Sequence, residues 1–148
     1  MKQATPPLPH CSLPRRLGAI FYDTLLVASV LLVASLIALP LLGDHPSRPA
    51  MLLFRIFLVL NAFGFFAWFW THGGQTLGMR VWRIRLQSRG GGPISLWQAL
   101  LRFLIAIVSW LPLGLGFFWS LFDREKLTWH DRYSMSELVV IPKGQARE

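Results

Sequence analysis

The chain has 148 residues, 53% of them hydrophobic and only 15% charged, with seven Trp, eleven Phe and a formal net charge of +8. A water-soluble domain carries roughly 25% charged residues, a disordered chain lacks so large an apolar majority, and Cys11 alone cannot make a disulfide framework. What remains is an all-α integral membrane protein of one domain.

Residues 1–13, with Thr5-Pro6-Pro7-Leu8-Pro9, read as a flexible cytoplasmic tail. The first apolar stretch, Leu17–Leu42, is 26 residues long and holds one charge, Asp23. At 1.5 Å per residue it makes about 39 Å of helix, more than the ~30 Å hydrocarbon core. It also exceeds the ~7–15-residue apolar region of a signal peptide, so it reads as a retained span. After the turn Gly43–Ala50, a second span covers residues 51–71. Arg55 lies one turn inside its outer end, where a long stem can carry the guanidinium to the headgroups. Asn61, mid-membrane, is expected to hydrogen-bond a neighbouring helix. Phe63, Phe65, Phe66, Trp68, Phe69 and Trp70 read chiefly as a lipid-facing aromatic belt.

In the connection 72–95, Gly73-Gly74-Gln75-Thr76-Leu77-Gly78 lacks the Gly-Lys-Ser/Thr ending of a phosphate loop. Trp82-Arg83-Ile84-Arg85-Leu86 alternates with period two, as a half-buried strand does. Gly90-Gly91-Gly92-Pro93 turns into a third apolar segment, capped at Ser95. That segment, residues 96–122, holds Arg102 and is broken near Pro112–Gly116. One crossing needs about 20 residues and two need about 40. Its 27 residues therefore fit either one kinked span or a crossing helix followed by a re-entrant piece. The transmembrane domain extends over residues 14–142, with helices at about 17–42, 51–71 and 96–122 and a polar tail at 143–148. No fixed-period repeat is visible.

Topology follows the basic residues. Lys2, Arg15 and Arg16 precede the first helix, and Arg80, Arg83, Arg85 and Arg89 follow the second, with no acid beside them. Arg48 in the short turn is balanced by Asp44. The N-terminus and the long connection are therefore read as cytoplasmic. The excess positive charge is topological and calls for no nucleic acid. The side of the C-terminal tail stays open: Glu137–Ile141 can pair with Trp82–Leu86 only if both lie on one side, and an interfacial segment anchored by Trp82 is the equal alternative.

Ionisable groups in hydrocarbon cost at least ~2.5–3.5 kcal/mol. Asp23 and Arg102 each lie six residues, about 9 Å, inside their helices from the same side. Equal depth and opposite charge predict an Asp23–Arg102 ion pair. Arg16, on the face of Asp23 but tilted away, is expected at the headgroups or on an acid such as Asp131 of Trp129-His130-Asp131-Arg132. Arg16, Asp23, Arg102 and Asp131 thus form a proposed charge network, which either fixes helix register or takes part in moving an ion or solute. His10, His45, His72 and His130 lack metal-ligand spacing, and Ser109, Ser120 and Ser134 lack triad partners. No metal, cofactor or enzymatic activity is expected.

Arg15-Arg16-Leu17-Gly18-Ala19-Ile20-Phe21-Tyr22-Asp23, Gly74-Gln75-Thr76-Leu77-Gly78-Met79-Arg80 and Thr128-Trp129-His130-Asp131-Arg132, followed by Leu138-Val139-Val140-Ile141, together resemble the RDD family of bacterial integral membrane proteins. In that resemblance Arg16 matches the family arginine, and Asp23 and Asp131 the two aspartates. Met79 stands where a basic residue is usual, and Ser134-Met135-Ser136 replaces a small-residue run. The resemblance implies a multi-pass protein of the inner membrane, for which transport has been suggested. Two readings follow. One is a small cation, proton or solute transporter, or a subunit of one, which would have to oligomerise. The other is a non-transporting scaffold that binds a partner, so that beyond the lipid bilayer the partners are a second copy or another membrane protein.

Overall fold

A computed structural model of the chain describes residues 8–110, 116, 119–123 and 127–142. Two long helices dominate, α1 (Leu13–Leu42) and α2 (Arg48–Thr71). Each starts a few residues before its apolar stretch because Pro14 and Pro49 fit the first turn, where a missing N–H removes no bond. Ser47 caps α2 by accepting from the Ala50 N–H at 3.4 Å. The most apolar stretch of α1 is 0% buried and that of α2 only 6%. A core helix of a soluble protein would hide such residues as Leu36, Ile37, Leu53 and Leu60, which are exposed here. Lipid is the medium that makes this exposure favourable.

The third apolar segment departs from the expected helix over 96–122. Its helix α4 (Leu96–Trp110) has 15 residues, about 22 Å, too short to cross a bilayer. Ser95 and Gln98 close its start reciprocally, Gln98 N–H to Ser95 Oγ at 3.2 Å and Ser95 N–H to Gln98 Oε1 at 3.0 Å. The expected break near Pro112–Gly116 falls mostly on residues 111–115, outside the described residues. Gly116 itself is described: a Cβ there would meet Ser109 Cβ at 2.6 Å. Seven residues of uninterrupted helix would separate the two by about 10.5 Å, so the segment is not one straight rod.

The fold is also not all-α. Beyond α2 come a short helix, α3 (Leu77–Val81), and a strand, β1 (Ile84–Ser88). Beyond α4, across a 3-10 turn at Trp119–Leu121, come α5 (Trp129–Tyr133) and β2 (Ser136–Val140). The strands pair antiparallel, with Ile84 opposite Val140, Leu86 opposite Leu138 and Ser88 opposite Ser136. The 72–95 connection and the C-terminal segment therefore occupy the same end of the bundle. Pro9–Cys11, expected to be flexible, runs along the free edge of β2. Cys11 N–H donates to Leu138 O at 3.0 Å and Val140 N–H to Pro9 O at 2.9 Å, which satisfies an edge that would otherwise stay unpaired.

The two halves of this cap repeat one design. Thr76 and Thr128 are the N-caps, each opening a five-residue helix. A non-glycine residue with positive φ follows, Arg83 at 51° or Met135 at 52°, and then a five-residue strand. The spacing is 52 residues throughout (128 − 76 and 138 − 86), so Leu86 pairs with its own counterpart, Leu138. No periodicity was legible in the sequence because only Thr76/Thr128, Arg80/Arg132 and Leu86/Leu138 are identical across the repeat. Ile84, Leu86, Leu138, Ala99 and Ile94 form the core beneath the sheet.

Candidate functional site

Helix α1 enters the bundle beside α3, and its first turns supply the site. Gly78 lets them approach: a Cβ there would lie 2.6 Å from Ala19 O and 2.7 Å from Asp23 Oδ1. In that contact Asp23 accepts the Thr76 hydroxyl at 2.5 Å and the Gly78 N–H at 3.0 Å. Its carboxylate closes the start of α3, where backbone N–H groups lack intrahelical partners.

Asp131 does the same for α5 from within that helix. Thr128 N–H donates to Asp131 Oδ2 at 3.1 Å, and Asp131 N–H returns to Thr128 Oγ1 at 3.4 Å, a capping box. The same carboxylate binds two guanidiniums. Arg102 Nη1 donates to Oδ1 at 2.5 Å and Arg16 Nη1 donates to Oδ2. Arg102 Nη1 also reaches Ser136 Oγ at 3.0 Å, and Arg16 Nη1 reaches Thr128 Oγ1 at 3.4 Å. The Trp70 ring of α2 lies beneath the Arg102 guanidinium, 5.4 Å from ring centroid to Cζ. Arg16 and Arg102 are each 3% exposed and Asp131 0%.

Electrostatics fixes the protonation states in this cluster. Burial would raise the Asp131 pKa, but Arg16 and Arg102 outweigh it and hold the carboxyl well below the usual carboxylate range. His130, buried beside them, is pushed down to about 3 by desolvation and by the charge of Arg102, so it is neutral near pH 7. Cys11, covered by the N-terminal edge contact, is raised by burial and is an unreactive thiol.

The expected Asp23–Arg102 ion pair is not made. Asp23 turns instead to the helix start that needs a carboxylate, and Arg102 is taken by Asp131. Asp131 reaches it because the chain returns to the same end of the bundle. Of the four proposed network residues the structure brings Arg16, Arg102 and Asp131 together and places Asp23 on α3 instead. Asn61 makes no interhelical bond among the described residues: its Nδ2 donates to Phe57 O one turn earlier at 2.8 Å, which satisfies the amide within its own helix. Arg55 is exposed near the outer end of α2. The aromatic belt is largely a packing face: Phe63 and Phe66 meet Phe103 of α4, and Phe66 stacks toward Trp70, while Trp68 is exposed. Thr76, Gly78, Thr128 and Ser136 escaped sequence reasoning. Their one signal was a Thr eight residues before each strand.

α1 and α4 both pack on α2, and between them lies a cavity of about 400 Å³. Arg16, Asp23, Arg102 and His130 face it at the capped end; Val27, Leu31, Ala106 and Ile107 line the rest.

The RDD sequence pattern matches residues 11–135, which include Arg16, Asp23 and Asp131. The chain belongs to the RDD family. With its two long apolar helices, this RDD protein is a membrane protein. No curated protein and no solved structure matches it significantly.

Proposed function

We propose that this RDD protein is a multi-pass protein of the bacterial inner membrane, with its N-terminus and sheet-bearing end in the cytoplasm, and that it acts as a small solute transporter or a subunit of one. The orientation rests on the sequence, in which Lys2, Arg15 and Arg16 precede the first helix and Arg80, Arg83, Arg85 and Arg89 follow the second with no acid beside them in the chain, against a short turn in which Asp44 balances Arg48. The observation that carries transport is the cavity between α1 and α4, which combines apolar walls with ionisable groups at membrane depth. A solute suits it better than a bare cation, because protein donors already occupy both oxygens of Asp23 and of Asp131. Among the described residues two long helices and one short one enclose no complete path, and a second copy or another membrane subunit would complete it.

The same occupied carboxylates favour the second reading, a non-transporting scaffold whose charges only hold the cap on the bundle. Proteoliposomes separate the two. Ala28 lies on the exposed rim of the cavity, away from the charge cluster. For a transporter, wild type carries rubidium, acetate or a short-chain fluorescent phospholipid faster than empty vesicles, and Ala28→Trp abolishes that flux with helicity intact. Equal leak of all three probes through empty, wild-type and Ala28→Trp vesicles leaves the scaffold.

A further inference from the structure

The cavity has a polar and an apolar end. Its rim includes Ala28 and Ile107, both exposed, so it opens sideways where the long helices meet lipid. Its volume of about 400 Å³ falls within the ~300–1,000 Å³ typical of small-molecule sites. At the capped end its wall is Arg102 and Trp70. A guanidinium carries five N–H donors, and both Arg102 hydrogen bonds leave from Nη1, to Asp131 and Ser136. The Nε and Nη2 donors have no acceptor among the described residues. The buried Nε1–H of Trp70, directly below that guanidinium, has none either. Both side chains are more than nine-tenths buried, at 3% and 6% exposure. A buried donor without a partner is costly; Trp70 Nε1–H is one, and its side chain lines the same cavity as that of Arg102.

No carboxylate of the site can fill them. Asp131 is taken by Arg16, Arg102 and the Thr128 N–H, and Asp23 by Thr76 and Gly78. Arg16, Arg102, Asp131 and Asp23 balance in formal charge, but the Asp23 carboxylate is turned onto the start of α3, so the cluster that holds Arg102, two guanidiniums on one carboxylate, is itself positive. From the level of Asp23 to Leu31 the α1 wall runs eight residues, about 12 Å, and is apolar over its second half.

We propose that this cavity binds an anionic phospholipid of the adjoining leaflet, its phosphate on Arg102 and Trp70 and one acyl chain along Val27, Leu31 and Ala106. The lateral opening and apolar walls select a lipid over free phosphate, which would gain nothing from them. The unfilled donors select an anionic headgroup, because a zwitterionic lipid brings its own cation beside two guanidiniums, with no free carboxylate to receive it. The proposal deepens the transport reading by naming its cargo class and rests on it for passage of the lipid, not for binding.

Native mass spectrometry of the full chain in detergent tests it, with phosphatidylglycerol, phosphatidylcholine and inorganic phosphate as probes. One phosphatidylglycerol binds per chain, roughly tenfold more tightly than phosphatidylcholine. Trp70→Phe keeps the ring beneath Arg102 and weakens phosphatidylglycerol roughly tenfold, and Ala28→Trp blocks the lipid site. Equal affinity for the two lipids overturns the proposal. So does displacement of phosphatidylglycerol by equimolar phosphate, or an Ala28→Trp effect that appears as a broken dimer and not as lost lipid. If phosphatidylglycerol binds but its fluorescent analogue is not moved across proteoliposomes, the site stands and the transport reading falls. If another solute is carried and no lipid binds, the site alone falls.

Discussion

A carboxylate with one guanidinium on each oxygen does not respond evenly to losing its members. Removing Asp131 leaves Arg16 and Arg102 facing one another with no counter-charge, whereas removing either arginine leaves one pair intact. Breaking a buried pair costs about 3–5 kcal/mol. Asp131→Asn is therefore expected to lower the unfolding temperature in detergent more than Arg16→Gln or Arg102→Gln, and to leave little folded protein. The neutral His130 gives a separate acid response. Its native pKa of about 3 lies below the ordinary 6.5, so between those values the unfolded chain binds a proton that the folded one refuses. Stability is full above pH 6.5 and falls as the pH drops through that window, by an amount on the order of a few kcal/mol. Asp131 works lower: its depressed pKa adds stability that is present above the unfolded value near 3.8 and is lost only as the pH falls below it. Thermal unfolding of His130→Gln between pH 7 and 4 should therefore be flat where wild type slopes.

At the scale of elements, Asp23 and Asp131 each finish a short helix that cannot finish itself. Thr76 and Thr128 begin them, but α3 has Met79 at the position where α5 has Asp131, so its carboxylate comes from α1. Close approach at Gly78 is the condition for that loan. Gly78→Ala puts a methyl against Ala19 O and Asp23 and should cost about 1–3 kcal/mol in chemical unfolding. The equivalent change in α5, His130→Ala, meets no such wall. The long helices were legible in the sequence because length and unbroken hydropathy alone decide them. The strands were legible only as an option: Trp82–Leu86 alternates, yet pairing depends on whether the chain comes back. The partners expected for Asp23 and Arg102 were wrong, because rise per residue fixes height along a helix and says nothing of which helix start lacks a cap. Arg16–Asp131 spans 115 residues, a separation at which spacing carries no information.

Across the whole molecule, the sheet ties the two ends of the chain to the middle. Gln87 and Glu137 stand opposite one another on β1 and β2 and share a hydrogen bond of 2.9 Å. In a Cys11→Ser background, cysteines at both positions should oxidise to a disulfide in intact membranes, visible as a mobility shift. Failure to cross-link would place the C-terminal segment on the other side. Met135→Cys, at an exposed position, should be labelled by a membrane-impermeant maleimide from the same compartment as His72→Cys.

The return of β2 has a bearing on how the protein is made. Arg16 leaves the ribosome 115 residues before Asp131 and Arg102 leaves it 29 residues before, so until Asp131 follows the two cations lack their shared anion and must hold their heads in the hydrated headgroup layer. Only when Asp131 emerges can they be drawn inward. A chain cut short before Asp131 is expected to keep both arginines at the surface, β1 unpaired and the Pro9–Cys11 edge empty.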